Sequence, residues 1–142
     1  DRTRMAWYII EDLLLGNTAA VIPRAIVDND LGDDAIGGLQ SHLKQWVLTL
    51  GVTGITSSEK VAEARIRLQQ RIYSVVSDGF DEAALKGTLN KLDMKFRKQN
   101  SNGVPLGVKV FKDVLTTWNY DFDPRSPLSY SKAFAELKKD IE

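Results

Sequence analysis

The chain has 142 residues, 43% hydrophobic and 27% charged, with 19 lysines and arginines balanced by 19 aspartates and glutamates. That is one domain's worth of chain, able to bury roughly two thirds of its unfolded surface. Zero net charge argues against a dedicated nucleic-acid binder or a drive toward anionic membranes; the lack of cysteine excludes disulfides and Cys-based zinc sites; and the apolar runs fall well short of the ~18 residues of a spanning helix.

In chain order, residues 4–15 form an amphipathic pattern with Trp7, Ile10 and Leu14 on one face. Gly16-Asn17 is a helix stop. A second short helix is expected over about 23–30, with Pro23 near its first turn and Gly32 just past its end. The period then changes. Trp46, Leu48, Leu50 and Val52 alternate with Val47, Thr49 and Gly51, which predicts a strand turning the first set toward the helices. Its antiparallel partner is expected near 35–40. From Thr56 onward the chain reads as helices. "TSSE" is a capping box, with Thr56 as cap and Glu59 reaching back. The stripe that follows is Val61, Leu68, Ile72 and Val75. Gly79 ends that helix, Asp81 caps the next, and Phe80 and Leu85 stand at the spacing of a hydrophobic staple. Leu85, Leu89, Leu92 and Phe96 form its stripe. "QNSNG" reads as a loop. Pro105 opens a helix whose apolar face is Val108, Phe111, Leu115 and Trp118, and a last helix carries Tyr130, Phe134, Leu137 and Ile141 inward.

The expected class is α+β, helix-rich with a small antiparallel sheet. Two or three strands alone leave unpaired edges, so further strands are expected to complete the sheet. "DRTRMAWYII" has neither an initiator methionine nor a signal-peptide pattern, and a helical pattern still runs at "LKKDIE". The chain reads as a single partial domain, residues 1–142, of something larger.

Few residues offer chemistry. His42 is the single histidine, and zinc needs three or four clustered ligands; His42 is expected at a turn or strand edge. "GDDAIGG" is glycine-rich, but its acids would repel phosphate, so it reads as a helix-to-strand connection. "DNDLGDD" lacks the spacing and terminal glutamate of a calcium loop. In "KLDMKFRKQN", Lys91, Lys95 and Lys98 read as a solvated face, and Met94 and Phe96 as core. "WNYDFDP" sets Asp121 and Asp123 two residues apart. Turn chemistry accounts for both: Asp121 in an Asx-type turn, Asp123 as a helix cap before Pro124. An acid–base pair would need a raised pKa.

The order of these features resembles a known family. "AWYIIEDLLLGNTAAVIPRAIVDNDLG", "WVLTLGVTGI", "DGFDEAALKGTLNKLDMKFRKQNSNGVPLG" and "WNYDFDPRSPLSY" are similar, in sequence and order, to a segment of the presequence protease and falcilysin branch of the pitrilysin/insulinase-type zinc metallopeptidases. The resemblance runs from about Ala6 to Ile141. It implies a large clamshell of four similar α+β domains in two halves. In such enzymes an inverted His-x-x-Glu-His motif and a distant glutamate hold zinc in the first domain. Zinc-bound water attacks the scissile amide, and a glutamate serves as general base. This chain would be most of the second, non-catalytic domain of the N-terminal half. On that basis no catalytic, cofactor-binding or metal-binding residue is expected here, and zinc belongs to the parent enzyme alone. The implied partners are the parent's remaining domains and the peptides enclosed in its chamber, with no nucleic acid and no membrane. The implied location is an organelle, mitochondrion or plastid. A free-standing helical interaction module is the alternative. An independent carboxylate enzyme using Asp121 and Asp123 is the third reading.

Overall fold

The structure, a computed structural model, describes residues 2–98 and 103–141. Among them, the elements in order are α1 (Arg2–Leu15), α2 (Val21–Asp28), β1 (Asp34–Gln40), β2 (Val47–Thr53), α3 (Ser58–Asp78), α4 (Glu82–Lys98), α5 (Leu106–Trp118), a 3-10 turn (Ser126–Ser129) and α6 (Tyr130–Ile141). This is the expected helix-rich α+β class, with β1 and β2 antiparallel and Leu39 opposite Leu48. The expected loop at 99–103 lies outside the described residues except at Gly103, as does the side chain of Lys98.

The core is two apolar clusters that share α1. Met5, Ile9 and Leu13 recur every four residues and project into the first, against Leu89 and Leu92 of α4 and Ala133 and Phe134 of α6. Leu14 and half-buried Ile10 turn toward the second, with Ile22 and Ile26 of α2, Leu31 and Ala64. Trp7 shares the stripe of Ile10 and Leu14 but is exposed, contrary to expectation. It sits a turn too early, beyond the reach of the second cluster.

The sheet covers that second cluster through Leu48, Leu50 and Val52, while Val47 faces outward, as the alternation predicts. Glu11 of α1 accepts the backbone N–H of Leu39 at 2.9 Å, which ties β1 to the helix. "IGG" has a steric cause. Gly37 has φ +148°, and a Cβ there would collide with the carbonyl oxygen of Thr49.

Several ends differ from expectation. The cap of α3 is Ser57, which accepts the N–H of Lys60, rather than Thr56. Glu59 therefore sits one position earlier. Its carboxylate is held below the usual range by its own backbone N–H and by Ser57. The α3 stripe is Ala64, Leu68 and Ile72, while Val61 is exposed. Helix α2 ends before Gly32. Asp30 takes φ +50°, with Leu31 N–H bonded to Ile26 C=O and Asp30 N–H to Val27 C=O. That is the Schellman pattern, with Leu31 and Ile26 supplying its hydrophobic contact. Asp81 caps α4 through the N–H of Ala84, and Phe80 and Leu85 pack on the first cluster, as expected. Phe96 joins that cluster; Met94 is exposed, against the expected core position. In α6, Phe134 is fully buried, but Ile141 is not.

The largest correction concerns α5. Val108, Phe111, Leu115 and Trp118 share one face, but that face meets solvent; Phe111 is 65% and Trp118 67% exposed. The opposite face, with Thr117 buried and Val110, Asp113 and Val114 half-buried, turns inward. Periodicity identifies which residues share a face and not which neighbour covers it.

Truncation should separate the two kinds of aromatic. Phe134→Ala is expected to cost about 3–5 kcal/mol in denaturant unfolding, the range for a fully buried ring. Phe111→Ala should change stability by no more than about 0.5 kcal/mol.

Candidate functional site

"WNYDFDP" resolves into two consecutive devices of turn chemistry. The first ends α5. Phe122 N–H bonds Thr117 C=O at 3.1 Å and Asp121 N–H bonds Trp118 C=O at 3.1 Å, with Asp121 at φ +60°. This is a second Schellman motif with an aspartate where glycine is usual. The second device starts at Asp123. Its Oδ1 accepts the N–H of Arg125 at 2.9 Å, and Ser126 N–H bonds its carbonyl at 3.0 Å. The Asx turn therefore belongs to Asp123 and the left-handed position to Asp121. Asp123 also precedes the 3-10 turn by too much to be its cap, because Arg125 holds that position. The Arg125 guanidinium, 3.1 Å away on both carboxylate oxygens, holds the Asp123 carboxyl below the usual range. A lowered pKa is the reverse of what a general acid needs.

His42 is exposed in the turn between β1 and β2. Among the described residues, no three His, Asp or Glu side chains converge as metal ligands. These residues therefore do not fit a zinc centre. No described helix is long and apolar enough to cross a membrane.

The most built feature is one that sequence reading missed. An open cleft of about 780 Å³ lies between the start of α1, the turn after β1, the end of α4, α5 and the 3-10 turn. Its floor is aromatic. Tyr8 meets Trp46 edge-on at 5.4 Å and Phe96 at 5.8 Å. The Arg4 guanidinium stacks on Phe122 at 4.7 Å and on Trp46 at 5.3 Å, and is hydrogen-bonded to Tyr130. Lys95 lies over Tyr8 at 6.0 Å. Burial pushes the phenols of Tyr8 and Tyr130 up, so both remain protonated at neutral pH. Burial also raises Asp113, against the opposing pull of Lys109 and Lys112. Fixed cations over ring faces and protonated phenols suit binding. No local motif signals this site: its residues come from five separate parts of the chain.

A second polar tie holds α1 to α4. The Asp12 carboxylate accepts the buried hydroxyl of Thr88 at 3.0 Å and pairs with Lys91, which also reaches the carbonyl of Gly16. Lys91 is thus part of a helix contact rather than only a solvated face.

No family model matches the chain. Its sequence is similar to presequence protease 1, chloroplastic/mitochondrial, of Arabidopsis thaliana, at 26% identity over 99% of this chain and 13% of that protein. It is 25% identical to protein HypA of Clostridium perfringens over 96% of the chain and 14% of that protein. The mitochondrial presequence protease of Yarrowia lipolytica is 24% identical over 94% of the chain and 13% of its own length. The chain thus resembles a segment of presequence proteases and spans about an eighth of their length.

Two variants test the assignment of the aspartates. Asp121→Gly should stabilise the chain by up to about 1 kcal/mol, because glycine takes the left-handed conformation without the Cβ penalty; a thermal melt reads this. Asp123 has a folded-state pKa below its unfolded one. Its contribution is present above the ordinary aspartate pKa and is lost as pH falls through the lowered folded value. Asp123→Asn should therefore be less stable than the parent at pH 6, with the gap closing in strong acid.

Proposed function

We propose that this chain is a non-catalytic wall segment of a presequence-protease-like zinc endopeptidase. It would be most of the second domain of the enzyme's N-terminal half. The observation that carries this reading is the similarity to presequence proteases along almost the whole chain, at 26% and 24% identity, over only 13% of their length. The parent would enclose unstructured peptides and hydrolyse them at zinc held by another domain. Zinc would supply an activated water there; the residues of this chain would contribute shape. Selection by chamber volume needs walls as well as a nucleophile. The proposed partners are the parent's other domains and the enclosed peptides. The proposed location is an organelle, in keeping with the chloroplastic and mitochondrial names of the relatives.

The exposed stripe of α5 supports the same reading. Val108, Phe111, Leu115 and Trp118 form a contiguous apolar face, and such faces mark interaction surfaces. In the wall reading a neighbouring domain covers it.

The pure 142-residue chain should leave an unstructured peptide intact and hold no stoichiometric zinc after dialysis. Chelator-sensitive cleavage by the pure chain would contradict the proposal. In the longer protein, Phe111→Asp with Trp118→Asp should lower peptidase activity at least about tenfold while zinc content stays unchanged, because a buried unpaired carboxylate disrupts the domain contact. Full activity in that variant would count against the wall reading.

A further inference from the structure

The aromatic cleft concentrates positive charge on a chain whose net charge is zero. Arg4, Lys95, Lys109 and Lys112 line it, against the single carboxylate, among the described residues, of Asp113. We infer that this cleft binds an acidic peptide segment whose carboxylates alternate with apolar side chains. The inference stands on the geometry of the cleft and does not depend on the peptidase reading.

Charge complementarity sets the sign of the ligand. The Arg4 guanidinium is already held over the rings of Phe122 and Trp46, so engaging a carboxylate costs it little further ordering. Lys109 and Lys112 stand three residues apart on α5, on the same side of that helix. Lys95 adds a cation across the cleft, above Tyr8. The one acid among the described lining residues, Asp113, is half-buried and has Lys109 and Lys112 beside it on α5, which offset its opposition to an anion.

The apolar part follows from the cleft's wall. Val104, Leu106, Val108 and Leu128 all line the cleft and are all exposed. An extended peptide turns successive side chains to opposite sides, so one set of its side chains can meet this wall while the other meets the cations. Single-stranded nucleic acid would use the same cations but needs bare ring faces for stacking its bases. Here Arg4 takes a face of Trp46 and of Phe122, Lys95 lies over Tyr8, and Tyr8 itself packs against Trp46 and Phe96. The aliphatic wall also has no role in binding a polynucleotide.

The test is fluorescence anisotropy of the 142-residue chain with a labelled short peptide of alternating glutamate and leucine carrying one phenylalanine. A lysine-for-glutamate counterpart and oligothymidylate serve as competitors. The acidic peptide should bind saturably and weaken as salt rises. Lys95→Gln with Lys112→Gln, both at exposed positions, should weaken binding roughly fivefold with an unchanged melting temperature. Asp113→Asn should tighten it about twofold, a change of sign that general damage to the fold would not produce. No saturable binding, an affinity indifferent to the two lysines, or stronger binding of oligothymidylate or the basic peptide would overturn the inference.

Discussion

Helix α1 is the constraint on which the rest of the chain depends. It presents two neighbouring stripes, and each is the centre of a separate apolar cluster. Met5, Ile9 and Leu13 gather α4 and α6; Ile10 and Leu14 gather α2, α3 and the sheet. On either side of the stripes its polar side chains add fixed ties. Glu11 holds the backbone of β1, and Asp12 holds Thr88 and Lys91 of α4. Arg2 pairs with Asp140 of α6. Arg4 and Tyr8, on the first turns, build the floor of the cleft. A shift of this one helix would disturb both clusters and the cleft together.

The aspartates show how local backbone demands can mimic functional residues. Asp30 and Asp121 occupy the same position in two helix-ending motifs, at φ +50° and +60°. Aspartate tolerates this region better than most residues, though less well than glycine. "DNDLGDD" and "WNYDFDP" look like acid clusters because each combines a helix end with a turn. That was legible in part. The sequence points to turn chemistry at "WNYDFDP" and to a helix end before Gly32 at "DNDLGDD", but assigning each aspartate its role required the hydrogen bonds.

Strand alternation around Leu48, Leu50 and Val52 and the Phe80–Leu85 staple were legible, because each rests on the pattern of one element or of neighbouring residues; the stripe of α4 was legible as a face, although α1 and α6, on which it packs, are distant in the chain. Burial of Trp7, Met94 and the α5 stripe was not. Those depend on which distant element lies opposite, and a helical period carries no such information. The cleft was illegible for the same reason. Arg4, Trp46 and Phe122 come together only after α1, the hairpin turn and the end of α5 have packed. The balanced composition also concealed it, since net charge says nothing about four cations gathered in one place.

On the wall reading, the α5 stripe is an interface awaiting the rest of a longer protein. Hydroxyl-radical footprinting of Phe111 and Trp118 tests this most directly, comparing the 142-residue chain with the longer protein that contains it. The account predicts strong labelling of both side chains in the isolated chain and protection of both in the longer protein. Equal labelling in the two would contradict it.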